Sequence, residues 1–224
     1  MTKVYLSGSE SINNEIKDFL NGKAEFTQNP EEAGIIFNTT NYPEYEKSEE
    51  LQYIESVTPD TIPIFTSSLC VSVSEQCRLQ AHPARLIGIG LYDTFSKAKR
   101  IEIAPSKITD AAILKNAENF LSEAGVNYSV VPDRVGLIFP RIVSMIINEA
   151  AQVYSEQIAS KEDIDTAMKL GTNYPFGPLE WADRLGVELV YNILAALQRD
   201  FGEDRYRPHP LLKEMANLNK RFYD

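Results

Sequence analysis

Histidine is nearly absent from this sequence. Among 224 residues only His82 and His209 carry an imidazole, so proton chemistry built on that ring has two places to look. Cysteine is equally scarce. Cys70 and Cys77 are the only two, too few for a disulfide framework, and they read as buried thiols of an intracellular chain. Positive charge is in deficit: 22 Lys and Arg stand against 32 Asp and Glu, a formal net charge of −10. That balance argues against nucleic acid as a partner, which needs a basic face, but leaves room for a small anionic ligand held by local Lys or Arg. No apolar run reaches the roughly 18 residues of a membrane span, so no membrane partner is expected. The start, MTKVYLSGSE, enters a short strand without a signal-peptide core. The expectation is a soluble cytoplasmic protein, and the 43% of hydrophobic residues is enough to bury a core.

What is present divides in two. Lys3–Leu6, Ala24–Thr27, Gly34–Asn38, Ile62–Thr66, Leu86–Leu91, Ile101–Ala104 and Tyr128–Val131 read as strands by their apolar and β-branched content. Asn13–Leu20, Lys47–Val57 and Asp110–Ala124 read as helices between them, the last with an apolar stripe at Ala112, Ile113, Ala117, Phe120 and Leu121. The alternation predicts a mostly parallel sheet with helices on its faces. After Pro132 the strand signals stop. Val135–Gln157 reads as one long helix, apolar on more than one face and so buried on most sides. Ser160 with Asp163 reads as a helix start, and Gly171 as that helix's end. Further helices are expected at Leu179–Arg184, Val187–Phe201 and Pro210–Leu218. The expected domains are residues 1–132 and 133–224.

The second half carries specific motifs. EDIDTAMKLGTNYPFGPLEWADRLG (162–186), FGEDRYRPHPLLKEM (201–215) and PRIVSMIINEA (140–150) together resemble the helical domain of the 3-hydroxyacyl-CoA dehydrogenase family. Upstream, FTSSL (65–69), RLIGIGLYDTF (85–95) and AKRIEI (98–103) resemble the family's substrate-facing strand ends. The resemblance implies a trimmed Rossmann-type parallel sheet followed by an all-helical domain. It implies NAD as cofactor, an acyl-CoA ligand, and a homodimer through the helical domain, for which Ile142, Ile146, Val187, Val190 and Ile193 supply apolar surface. The family's reaction is oxidation of a 3-hydroxyacyl-CoA to the 3-ketoacyl-CoA.

Measured against that pattern, several positions are kept and several replaced. Ser67 matches the serine that touches substrate. Glu102, twelve positions after Gly90, matches the carboxylate that orients the catalytic histidine. Gly90 itself stands where the family keeps that histidine, the general base. Pro140 stands where an asparagine helps bind the reacting group. His82 precedes its strand and His209 lies in the tail, so neither is placed to substitute. Tyr92 and Asp93 are closer in sequence, but an ordinary carboxylate is a poor base for an alcohol. The dinucleotide loop LSGSESINNEI has one glycine, Gly8, with Ser7, Ser9 and Ile12 at the other fingerprint positions and Gln28 where strand two should offer an acid. The short link QNPEEAG leaves no room for the family's coenzyme A-binding helical segment. Lys97, Lys99 and Arg100 remain as a basic group, Lys99 on a family lysine, and Arg134 and Arg141 flank the domain junction. The expected function is that of a family member of acyl-CoA metabolism with impaired or absent hydride transfer, serving as a binding or scaffolding subunit. The alternative is an active dehydrogenase with an unusual catalytic base.

Overall fold

Each of the seven expected strands forms. The computed structural model describes residues 1–98 and 100–223, and Lys99 lies outside them. The first unit, Met1–Leu137, contains in chain order β1 (Lys3–Ser7), α1 (Glu10–Phe19), β2 (Glu25–Thr27), β3 (Ile35–Asn38), α2 (Glu44–Val57), β4 (Ile64–Ser67), α3 (Val73–Gln76), β5 (Leu86–Ile89), β6 (Ile101–Pro105), α4 (Ala111–Glu123) and β7 (Tyr128–Val130). The strands make one sheet in the order β2-β1-β3-β4-β5-β6-β7. From β2 to β5 all neighbours are parallel, so β1, β3, β4 and β5 end along one edge. β6 runs antiparallel to β5, and β7 parallel to β6. This is a Rossmann-type sheet, and the reversal at β6 brings its first residues beside the end of β5. The central strands are continuous apolar runs because both faces are covered. Ile36, Ile64 and Leu86 pack with Leu51 and Ile54 of α2 and Val73 of α3, each fully buried side chain contributing about 1.5–3 kcal/mol.

The first unit extends past Pro132. The Asp133 carboxylate accepts the backbone N–H groups of Val73 (2.8 Å) and Ser74 (2.9 Å) and the Ser74 hydroxyl (2.6 Å), capping the start of α3. Gly136 donates its N–H to the Leu69 carbonyl. These bonds hold residues 133–137 to the sheet unit.

The second unit, Ile138–Asp224, has no strand among its described residues. It contains α5 (Phe139–Ser155), α6 (Lys161–Thr172), α7 (Pro178–Leu185), α8 (Val187–Phe201) and α9 (Pro210–Asn217). Four sequence expectations need correction here. The long helix starts at Phe139 instead of Val135, because Gly136 and Leu137 take left-handed backbone (φ +74° and +51°). α6 runs through Gly171 and ends at Asn173, whose φ of +57° makes it the terminating residue. α5 is not buried on most sides, since Ile142 is 54% exposed. Val187, Val190 and Ile193, expected as interface, are core residues of this unit; a helix packed on several sides buries residues a single-stripe reading assigns to the surface. Among the described residues no helix is long and apolar enough to cross a membrane.

Candidate functional site

In an open α/β sheet, chemistry gathers where the parallel strands end. Here Ser7, Asn38, Ser67 and Gly90 lie at those ends, with Ser7 paired to Asn38 and Ser67 to Ile89. The antiparallel start of β6 sets Glu102 opposite Gly90, whose N–H donates to the Glu102 carbonyl at 3.0 Å. A Cβ built on Gly90 would lie 3.9 Å from the Glu102 Cβ. The fold therefore brings together the three positions expected of a base, its orienting carboxylate and a substrate-side serine.

The space at the base position is filled. The same Cβ would lie 2.9 Å from Leu137 Cδ1, and Leu137 is buried. A methyl at position 90 would press on the flexible end of that leucine; a whole imidazole would have to displace it. Tyr92 is buried nearby, and burial, with the Glu102 and Glu15 carboxylates, drives its phenol well above the usual tyrosine range. It stays protonated and offers no base. The Ser67 hydroxyl donates to the Asn41 side-chain oxygen. His82 stands before β5, at the opposite edge of the sheet, 4.0 Å from the Asp60 carboxylate. His209 caps α9, its Nδ1 accepting the Leu211 N–H.

The dinucleotide position does not fit its cofactor. A Rossmann turn uses glycine so that backbone can approach the pyrophosphate. Gly8 has the required left-handed φ of +91°, but a Cβ there would fall 2.5 Å from both the backbone nitrogen and Oγ1 of Thr40. The room glycine provides is spent on the chain's own β3–α2 connection. Ser9 acts as an ordinary cap of α1.

Beneath the strand ends lies a polar cluster that the sequence reading missed. Lys47, on the buried face of α2, donates from Nζ to Asn38 Oδ1 and to the Thr40 carbonyl, both at 2.8 Å. Glu50 accepts the Asn38 amide and the Thr40 hydroxyl. Burial pushes the Lys47 amine down to about 7, with Glu50 pulling the other way. A neutral amine still has two N–H bonds, matching its two acceptors. The available signal was spacing: Lys47, Leu51 and Ile54 fall on one helical stripe, so the lysine shares the core face.

The helical unit uses its motif residues for packing. Pro140 is buried in the first turn of α5. Arg141 stacks over Phe201 (4.6 Å) and Tyr206 (5.1 Å) and donates to the Tyr206 hydroxyl, so it is committed to structure. Asp165 of α6 is buried and caps α7, accepting the Leu179 and Glu180 N–H groups at 2.8 and 3.0 Å and the Tyr223 hydroxyl at 2.9 Å. A Cβ on Gly177 would meet that carboxylate at 2.2 Å, which explains the glycine. Of the basic group, Arg100 bonds the Tyr128 carbonyl and Ser129 hydroxyl, and Arg134 bonds the Asp133 carbonyl.

The profile of the 3-hydroxyacyl-CoA dehydrogenase C-terminal domain matches residues 136–221. Residues 136–221 belong to the 3-hydroxyacyl-CoA dehydrogenase C-terminal domain family. The chain is 33% identical to a 3-hydroxybutyryl-CoA dehydrogenase of Clostridioides difficile, over 72% of this chain and 57% of that one. It is 39% identical to the 3-hydroxyadipyl-CoA dehydrogenase of Escherichia coli K12, over 55% of this chain and 26% of that one. The match thus spans between about a quarter and three fifths of the length of these curated relatives. In fold, it resembles the M. tuberculosis FadB2 structure with a TM-score of 0.81 at 19% identity, covering 98% of this chain and 89% of that chain. The chain has the Rossmann-type sheet and a separate helical unit.

Proposed function

We propose that this chain is a 3-hydroxyacyl-CoA dehydrogenase family member that does not transfer hydride and acts in the cytoplasm as a binding or scaffolding subunit of acyl-CoA metabolism. The observation that carries the reading is Leu137 Cδ1 lying 2.9 Å from where a Cβ at Gly90 would stand. A missing base costs about 10²–10⁴ in rate, and more when it acts within a unit. Here the base position is also occupied, Pro140 offers no amide side chain, and Tyr92 is held protonated. Ser67 and Glu102 are retained in place, and in this reading they no longer serve turnover. The subunit associates with a second copy through the helical unit, whose exposed Ile142 and Ile158 offer apolar surface.

The test is direct. Purified protein with NAD and 3-hydroxybutyryl-CoA should give no NADH absorbance above background, while acetoacetyl-CoA, titrated separately by calorimetry, should bind. Light scattering at micromolar concentration should report about twice the 25.2 kDa chain mass. Robust turnover would overturn the reading in favour of an active dehydrogenase with an unusual base. A clean monomer would remove the dimer.

A further inference from the structure

A pyrophosphate in this class of fold sits at the N-terminus of the first helix, where free N–H groups and the helix dipole favour an anion. In this chain an anion of its own is already there. Ser11, in the first turn of α1, donates its hydroxyl to the Asp93 carboxylate. Glu15, one turn on, holds the same loop: its oxygens accept the Thr94 N–H at 2.8 Å, the Ser96 N–H at 2.9 Å and the Ser96 hydroxyl. Phe95, buried, meets Phe19 at the far end of α1 edge-on, with ring centroids 5.6 Å apart. Residues 93–96 are therefore fastened along the length of the helix, from its first turn to its last.

We infer that the segment 92–97 stands in for the coenzyme, so that the unit is complete without NAD and excludes it. This rests on the reading of a silent enzyme and deepens it, placing the loss at dinucleotide binding as well as at the base. A bound dinucleotide would have to do two things at once. It would bring its two phosphate charges beside Asp93, Glu10 and Glu15, all on or against the first turns of α1, with Lys17 at the opposite end. It would also have to separate Gly8 from Thr40, whose contact fills the space a glycine turn normally opens to the pyrophosphate. The loop does the opposite of what a coenzyme would need: it supplies the negative charge, satisfies the Ser11 hydroxyl and seals the helix side with an aromatic pair.

NADH is the probe. Titrated to millimolar concentration against the whole chain, and followed by its own fluorescence and by calorimetry, it should give no saturable signal. Hydrogen exchange at the Thr94 and Ser96 amides should be slow in the wild type and unchanged by NADH. In Glu15→Ala those amides should exchange roughly tenfold faster or more, the loss of bonds to a charged acceptor. Should that variant fail to fold by circular dichroism, Asp93→Asn loosens the same segment from its other fastening and should raise exchange across 93–96. Saturable NADH binding overturns the inference, as do wild-type amides exchanging at the free-peptide rate or variants that leave exchange unchanged. Binding without turnover overturns this inference alone and leaves the silent-enzyme reading; turnover overturns both.

Discussion

The two units treat their family-like residues in opposite ways. In the helical unit the matching residues are held by packing: Asp165 caps α7, Gly177 admits that carboxylate, and Arg141 is stacked between two rings. In the sheet unit, Leu137 and Thr40 fill the room beside Gly90 and Gly8. Residues needed for folding stay informative when a reaction is lost, because each is tied to neighbours that would be left unpaired. Residues needed only for a reaction have no such anchor. In the silent-enzyme reading proposed above, Gly90 lies on one side of that line, and Asp165, Gly177 and Arg141 on the other.

The contrast can be broken at its strongest point. Asp165→Ala leaves two helix-terminal N–H groups and a tyrosine hydroxyl without their carboxylate, and should cost about 3–5 kcal/mol by denaturant unfolding. A loss under about 1 kcal/mol would mean the helical motif is not structural. The sheet unit should respond less. Gly90→His must displace Leu137 and should destabilise by about 1–3 kcal/mol. Adding Leu137→Ala should return part of that loss beyond the sum of the single changes, a coupling expected only if the two positions contest one space. Neither variant should gain turnover. A further effect is a slope. Lys47 has a folded-state pKa of about 7 against an ordinary 10.5. Between those values the unfolded chain holds the extra proton, so Lys47 makes stability rise with pH from about 7 to about 10.5 and contributes nothing below. The contribution is at most about 1.4 kcal/mol per pH unit. Subtracting the same curve for Lys47→Met isolates it; identical slopes would show that the amine is charged in the folded protein.

Much of this was legible in the sequence, for physical reasons that can be named. Short β-branched runs between turn residues identify strands, and all seven were found within two residues at either end. The Gly90–Glu102 juxtaposition was legible through the family resemblance of RLIGIGLYDTF and AKRIEI, and the antiparallel pairing of β5 and β6 realises it. What lies against Gly90 was not legible. Leu137 lies 47 positions from Gly90, read as part of a helix, and reaches the site only because Gly136 and Leu137 turn left-handed first. Lys47 was passed over because a charged residue on a helix usually faces water. Val190 and Ile193 were assigned outward for want of knowing which neighbours α8 would have.

Leu137 also bears on the history such a chain can have. A family member that loses an imidazole could regain it by changes in a single codon, if nothing else had moved. Once a leucine from a distant turn settles into the gap, the way back needs two substitutions, and each taken first is unfavourable: histidine alone meets the leucine, and removing the leucine alone leaves a cavity costing about 2–5 kcal/mol. With a domain's whole stability only about 5–15 kcal/mol, few chains could cross that interval. In the silent-enzyme reading proposed above, the packing that steadies the present fold acts as a ratchet on what the fold can become again.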